Sequence, residues 1–383
     1  MSVYLDHNAT SPVRPEAANA VARALSEGGN PSSVHASGRA AKKRLEAARE
    51  TVAKAMCVRT EDLVFTSGGT EANNLAISGA AAAGAQCLVV SAIEHDAVAE
   101  AAAATGLPVE IWPVRPDGCA DLDWLADRLN AYDPGGDGLA LFALMAANNE
   151  TGVIQPVEAA GRMIREAGAL FHVDAVQALG KTGFDFAGSM AHFAAVSAHK
   201  IGGPQGVGAL ALACDAPSAR LLHGGGQEKG RRGGTENLPG VIGFAAAIEA
   251  LGVSGEAERA EQGRMRDRAE ALIRDAAPQV RIWGADVDRL SNTLCLSTPG
   301  WASEIQVIAL DLAGFEVSAG AACSSGKVRK SRVLEAMGAT PDHAESTLRV
   351  SFGWTNTIDD AQAFAKAWAQ AYEMARPKAA AAV

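Results

Sequence analysis

The sequence predicts an α/β protein: a mostly parallel central sheet covered by helices on both faces, with a smaller α/β domain beside it. Three observations carry this expectation. Short apolar runs alternate with helical stretches from residue 63 to residue 212, the pattern of buried strands linked by helical crossovers. Several of these runs end in a polar residue, where the sites of such sheets gather. A chain of 383 residues is long enough for one large and one small domain.

Composition narrows the classes. Hydrophobic residues make up 48% and charged residues 20%, an ordinary globular mixture. The formal charge of −10 argues against direct nucleic-acid binding. The start, Met1-Ser2-Val3-Tyr4-Leu5-Asp6, lacks the basic and then apolar regions of a signal peptide. The longest apolar run, 139–147, is too short for a bilayer. A cytoplasmic protein with no membrane partner is expected. Six cysteines without a Cys-x-x-Cys pair give no disulfide framework. Cys87, Cys214 and Cys295 lie in apolar runs and are expected to pack in the core. Cys57 should end a helix, and Cys119 falls in a polar turn.

In chain order, a short strand at 3–5 leads into Asp6-His7-Asn8-Ala9-Thr10-Ser11-Pro12. A helix is expected at 16–26. A loop of turn formers follows, and then an amphipathic helix at 38–55. Leu63-Val64-Phe65-Thr66 reads as a strand and Ser67-Gly68-Gly69-Thr70-Glu71 as the turn into a helix. Such a turn is either an ordinary capped connection or a phosphate site, since its backbone N–H groups point outward. It is not a P-loop, because no Lys-Ser/Thr follows the glycines. Strands at 88–90, 139–145 and 170–174 end near His95, Asn149 and Asp174, with Gln177 just beyond and a helix at 157–167 between the last two.

The strand 193–196 runs into Ser197-Ala198-His199-Lys200-Ile201-Gly202-Gly203-Pro204, and a further strand leaves at 207–212. A lysine at the end of a buried strand either pairs with an anion or serves as a nucleophile, its amine freed by desolvation. The glycine-rich stretch 224–235 carries Lys229, Arg231 and Arg232, either a solvated basic loop or an anion nest. A helix at 238–251 should end at Gly252-Val253-Ser254-Gly255, the expected domain boundary. The large domain is then 13–252, and the small one 1–12 with 253–383. In the latter are expected a helix at 256–276, strands at 291–297, 316–318 and 348–352, and a helix at 303–312. Cys323 lies in Ser318-Ala319-Gly320-Ala321-Ala322-Cys323-Ser324-Ser325-Gly326. A run of such small side chains cannot pack a thiol firmly, so a mobile loop at about 318–331 with an accessible Cys323 is expected. Arg349 stands among apolar neighbours, where an arginine meets a carboxylate of the protein or of a ligand.

Lys200, Asp174, a phosphate-type turn and a ring partner such as His95 fit pyridoxal 5'-phosphate, which needs a lysine for attachment and a carboxylate for its ring nitrogen. Nearly the whole chain resembles cysteine desulfurases of the class V aminotransferase family, the nitrogen-fixation and housekeeping iron–sulfur type. The likeness rests on Gly29-Asn30-Pro31-Ser32-Ser33, Thr66-Ser67-Gly68-Gly69-Thr70-Glu71, Glu94-His95, Asn148-Asn149-Glu150, His172-Val173-Asp174, Ser197-Ala198-His199-Lys200, Arg232-Gly233-Gly234-Thr235 and the Cys323 loop. It implies the pyridoxal-phosphate aminotransferase type I fold. It also implies that Lys200 carries the cofactor, Asp174 pairs with the ring nitrogen and His95 stacks on the ring. Gln177 and Asn149 would reach the ring oxygen, and Gly69, Thr70, Ser197 and His199 the phosphate. Thr235 would reach the phosphate of a neighbouring subunit in a homodimer. Asn149 and Arg349 would bind the substrate.

The implied reaction takes sulfur from L-cysteine. Lys200 removes the Cα proton, His95 carries a proton for the substrate thiol, and the Cys323 thiolate takes the sulfur as a persulfide, leaving alanine. The sulfur would pass to an iron–sulfur scaffold or another acceptor protein. No intrinsic metal is expected, although a Cys323 persulfide could transiently meet a cluster on a scaffold. Ala319 and Ala321 stand where serines are frequent in relatives, and Lys327-Val328-Arg329-Lys330 is unusually basic, so acceptor preference stays open. A selenocysteine lyase or another class V enzyme is the nearest rival, but a transaminase has no need of Cys323.

Overall fold

The computed structural model describes residues 2–217, 220–320 and 330–375. From the amino end the elements are β1 (Val3–Tyr4), α1 (Pro15–Glu27), α2 (Ala36–Ala55), β2 (Leu63–Thr66), α3 (Gly69–Ala82) and β3 (Ala85–Ser91). Then come α4 (Asp96–Ala104), β4 (Val109–Trp112), α5 (Leu122–Asn130), β5 (Leu139–Met145), α6 (Val157–Glu166), β6 (Leu170–Asp174), β7 (Phe193–Ser197) and β8 (Gly208–Leu212). The rest is α7 (Leu238–Ala276), β9 (Arg281–Ile282), β10 (Thr293–Ser297), α8 (Ser303–Leu312), β11 (Phe315–Glu316), β12 (Ser318–Ala319), α9 (Arg332–Ala336), α10 (Pro341–Glu345), β13 (Thr347–Ser351) and α11 (Ile358–Ala375).

The central sheet has seven strands in the order β2-β8-β7-β6-β5-β3-β4. Its pairs are parallel from β7 through β6, β5 and β3 to β4. Only β8 runs the other way, antiparallel to both β7 and β2. The short turn from β7 to β8 allows nothing else, because a parallel neighbour needs a long crossover. Strands β5, β6 and β7 are almost wholly buried, as continuous apolar runs covered on both faces must be. The carboxyl ends of β2, β3, β5, β6 and β7 therefore share one edge.

A second core lies around the antiparallel sheet β12-β13-β10-β9 and the parallel pair of β1 with β11. Phe364 and Trp368 of α11 fill it, beside Leu5 from the amino end. The amino-terminal segment is stitched in by backbone bonds, Leu5 N–H to Glu316 O and Ser351 N–H to Leu5 O, both 2.8 Å.

The expected break at 252–255 is absent: α7 is one helix of 39 residues. Two glycines in a helix cost about 1 kcal/mol each relative to alanine, and packing along the helix overrides that local signal. Its amino half, apolar enough by composition to cross a membrane, buries Val241, Phe244 and Ala247 in the main core. Near its middle, Glu258 pairs with the buried Arg14 at 2.6 Å. The cysteines also sort differently. Cys295 is buried, but Cys87 is only half-buried, and Cys214 is exposed in the turn after β8, since its apolar run ends before it. Cys57 follows the end of α2 in a left-handed conformation, φ 55°.

One buried ion pair anchors the glycine-rich loop. Arg49 meets Glu228 at 2.6 Å and donates to Leu63 O at 3.0 Å, while Glu228 also accepts Phe65 N–H at 2.9 Å. Both members of the pair are buried. Glu228→Ala should lower unfolding stability by about 3–5 kcal/mol by stranding the guanidinium. A Glu228→Leu/Arg49→Met double variant should recover most of that loss in urea unfolding. Equal losses in the single and double variants would show that packing, not the charge, matters there.

Candidate active site

The edge formed by the strand ends opens onto a cavity of about 450 Å³. Each strand that reaches it contributes. Lys200 lies in the 3-10 turn Ala198–Ile201 directly after β7. Asp174 is the last residue of β6. His95 caps α4, its Nδ1 accepting Ala97 N–H at 3.0 Å, which leaves Nε2 to carry the proton of the neutral ring. Gly69 and Thr70 begin α3, which has no side-chain cap. Gly68 has φ 155°, a conformation closed to ordinary side chains, and Gly208 lets it come close, because a Cβ there would lie 2.7 Å from the Gly68 carbonyl carbon. Asn149, Gln177, Ser197, His199 and Arg349 also line the cavity. Thr235 does not: it is exposed in the loop before α7. Cys323 lies outside the described residues.

Lys200 is the electrostatic centre. Its Nζ donates to Asn8 O at 2.7 Å and Ala9 O at 2.8 Å. Burial, aided by the Arg349 charge, lowers its pKa to about 8, with Asp6 and Asp174 acting the other way. Asp174 is held rigidly: one oxygen accepts Asn73 Nδ2 at 2.8 Å, the other Val176 N–H at 2.9 Å. Asn73 in turn takes a 2.8 Å bond from His172 Nε2. Burial drops the His172 pKa to about 4, so the ring is neutral and donates from Nε2. His199 is likewise neutral, lowered to about 4 by burial and the nearby lysines, and its Nδ1 meets Thr10 Oγ1 at 3.2 Å.

Arg349 pairs with Asp6 at 2.7 Å and donates to Asn149 O at 3.1 Å. Its buried Nε has no partner among the described residues. The basic loop does not form a collective nest. Arg232 pairs with Glu71 at 3.0 Å, while Lys229 and Arg231 reach Glu61 O.

Several contributors were not anticipated. Asn8 joins five segments: its backbone O accepts Lys200 and Gln177, and its side chain meets Lys181, Asn292, Thr293 and Asn149 O. Glu94 is buried against Met145 N–H, and burial with Asp174 nearby pushes its pKa well above the carboxylate range. Glu150 is buried and accepts Ser331 Oγ at 2.6 Å, while a Cβ on Gly320 would lie 3.6 Å from the same oxygen. It thus bonds one flank of the stretch that carries Cys323 and lies beside the other. Glu94 and Glu150 stand within the quoted motifs Glu94-His95 and Asn148-Asn149-Glu150, but neither was assigned a role there.

The family model for class V aminotransferases matches residues 3–364. The chain belongs to the class V aminotransferase family. Among curated proteins it is 41% identical over 367 residues to a cysteine desulfurase of Cereibacter sphaeroides, covering 93% of this chain and 92% of that one. Among solved structures, a NifS-like protein from Rickettsia africae aligns with a TM-score of 0.89 at 31% identity, over 97% of this chain and all of that one. SspA in complex with cysteine aligns with a TM-score of 0.80 at 27% identity, over 92% of this chain and 99% of that one. The mixed sheet and the second, smaller core are thus the fold of the NifS-like class V proteins.

The lowered Lys200 pKa has a direct consequence. Between about pH 8 and 10.5 the unfolded chain holds a Lys200 proton that the folded chain has lost. The penalty of burying the amine is therefore present below about pH 8 and disappears as the pH rises. The free amine appears over the same range. Labelling of Lys200 by an amine reagent in cofactor-free protein, read by peptide mass mapping, should rise with a midpoint near pH 8. If labelling of Lys200 rises instead at the ordinary lysine value of about 10.4, the desolvation argument is wrong.

Proposed function

We propose that the chain is a cysteine desulfurase that uses pyridoxal 5'-phosphate to move the sulfur of L-cysteine onto Cys323, leaving L-alanine. The observation that carries this reading is the convergence of Lys200, Asp174, His95 and the α3 turn on one cavity.

The donor set suits the cofactor. The uncapped α3 N-terminus, with Gly69, Thr70, Ser197 and His199, offers N–H and hydroxyl donors for a phosphate. The anchored Asp174 carboxylate supplies a negative charge for the ring nitrogen. His95 presents its ring, and Gln177 and Asn149 offer amides to the ring oxygen. The Lys200 amine, lowered to about 8, is the attachment point. When bound, the cofactor takes up the electron pair left at the substrate Cα as its proton departs.

The chain's own groups do the rest. Arg349 binds the substrate carboxylate, with Asn149 alongside. Lys200 Nζ holds and returns the Cα proton, and His95 Nε2 carries a proton for the substrate thiol. The Cys323 thiolate attacks the substrate sulfur. A sulfur–sulfur bond forms, the carbon–sulfur bond breaks, and its electron pair stays with the carbon skeleton, which takes up protons to become alanine. The persulfide then passes to an iron–sulfur scaffold or another acceptor protein in the cytoplasm. Residues 13–252 act as the cofactor domain, and 1–12 with 253–383 as the domain that presents Cys323. The Arg232–Glu71 pair fixes the loop carrying Thr235, which in this reading reaches the phosphate of a second copy in a homodimer.

Cys323→Ala should bind L-cysteine and change the cofactor spectrum, yet form neither persulfide nor alanine, because Cα proton removal needs only Lys200 and the ring. Alanine release at the wild-type rate would make a plain lyase the better reading. Subunit exchange tests the dimer: Lys200→Ala and Thr235→Ala are each expected to be inactive. Mixed heterodimers should regain part of the activity, since one site collects both defects. No recovery in verified heterodimers would place the Thr235 contact within one chain.

A further inference from the structure

Lys181 has no part in this chemistry, yet it lies against it. Its Nζ donates to Gln177 Oε1 at 2.6 Å and to Asn8 Oδ1 at 2.9 Å. Gln177 Nε2 donates to Asn8 O at 2.9 Å. Lys181, Gln177 and Asn8 thus close a ring of hydrogen bonds, and Lys200 rests on the same Asn8 O. The charged groups around Lys181 are Lys200 and Arg349, with Asp6 the one acidic counterweight, and His7 nearby. No carboxylate touches its amine among the described residues. Burial first, and the two cations next, push its pKa well below the ordinary lysine range. A lysine kept under these conditions is costly unless its hydrogen bonds do something a methionine cannot.

What they do follows from donor and acceptor chemistry. The side-chain oxygen of Asn8 is identified by its other partners, since it accepts Asn292 Nδ2 at 3.1 Å while Asn8 Nδ2 donates to Thr293 Oγ1 at 2.9 Å. Asn8 O can only accept, so the nitrogen of Gln177 must face it. Lys181 donates to the opposite end of the same amide, so both contacts select one orientation. Gln177 is buried and lines the large cavity. The second hydrogen on its Nε2 is the one left for the cavity. Without Lys181, Gln177 Oε1 loses its donor and a single bond is left to fix the amide.

We propose that Lys181 is a positioning residue: it locks the Gln177 amide with its N–H toward the cofactor cavity and, through Asn8, steadies the carbonyl that receives the Lys200 amine. This rests on the pyridoxal-phosphate reading of that cavity. Gln177 then donates to the ring oxygen and favours its anionic form, which lowers the pH at which the bound cofactor changes colour.

The test uses cofactor-loaded protein and reads the pH midpoint of its visible absorption change, with no turnover. Lys181→Met should fold, since a buried lysine gives way to an apolar chain of similar length, and should raise the midpoint by about half a unit or more. Gln177→Leu should raise it in the same direction. The Lys181→Met/Gln177→Leu double variant should go no further than Gln177→Leu alone, because both act through one contact. Lys181→Arg, which keeps the donors and can extend into the cavity of about 30 Å³ beside Lys181 and Lys200, should not raise the midpoint. An unchanged midpoint in Lys181→Met overturns the proposal. So do additive shifts in the double variant, which would mean that Lys181 acts only as a distant charge. If wild-type protein given pyridoxal phosphate shows no visible band, the cofactor reading itself fails, and the proposal with it.

Discussion

Lys200 rests its amine on two backbone carbonyls, and no carboxylate touches it among the described residues. That arrangement governs much of the rest. Carbonyls satisfy an amine's hydrogens without supplying the full charge that would hold it as an ammonium. Burial can then lower its pKa to about 8. The carbonyls belong to Asn8 and Ala9 near the amino end, 192 and 191 positions earlier in the chain. The amino-terminal segment must therefore cross the carboxyl edge of the main sheet before Lys200 has its environment. The fold secures this crossing from both sides. Leu5 is stitched to β11 and β13, Ser11 N–H meets His199 O at 2.8 Å, and Arg14 donates to Ile201 O while pairing with Glu258 of α7.

The same segment distributes charge in the cavity. Asp6 pairs with Arg349, so the cation that helps lower the Lys200 pKa is partly neutralised in the resting site. Asp174 is held by Asn73 and a backbone N–H, and its anchoring chain ends on a neutral histidine instead of a further charge. A carboxylate fixed by neutral donors keeps its negative charge facing the cavity. The site thus has a fixed anion at the floor, an amine freed within reach of neutral pH, and an arginine whose Nε has no partner among the described residues. In the proposed function, a ring that needs a counter-charge and a substrate that brings its own carboxylate would meet complementary groups there.

What was legible in the sequence was local. Strand ends, the small-residue turn before α3 and the lysine after β7 follow from patterns a few residues long, and the structure brings them to one edge. Asn8, Lys181 and Asn73 were not legible as site residues, because their roles depend on contacts across roughly 100 to 340 positions of chain, which no local period encodes. The glycines at 252 and 255 mark a boundary in a local reading, yet α7 runs through them, held by α1, α2 and α11. The edge strand β4 and the final helix α11 drew no local reading. β4 is four residues long and half exposed, and α11 is rich in alanine, which blurs the contrast between its faces. Cys214 misled for a similar reason: the apolar run beside it is strand β8, which ends at Leu212, and two residues further the chain is already in solvent.

Glu150 shows how far the sheet can reach toward the sulfur-bearing stretch. Its backbone follows Asn149, whose carbonyl carries Arg349 and Asn8. Its carboxylate accepts Ser331, which in turn caps α9, and it faces Gly320 at the end of the last described strand before Cys323. Arg349, which binds the substrate in the proposed function, and the two flanks of the cysteine stretch therefore share one short piece of chain, residues 149–150. A change at Arg349 can pass to those flanks through a single peptide unit. Strand pairing adds a second link, because Ser318 of β12 stands opposite Arg349 of β13, two residues before Gly320.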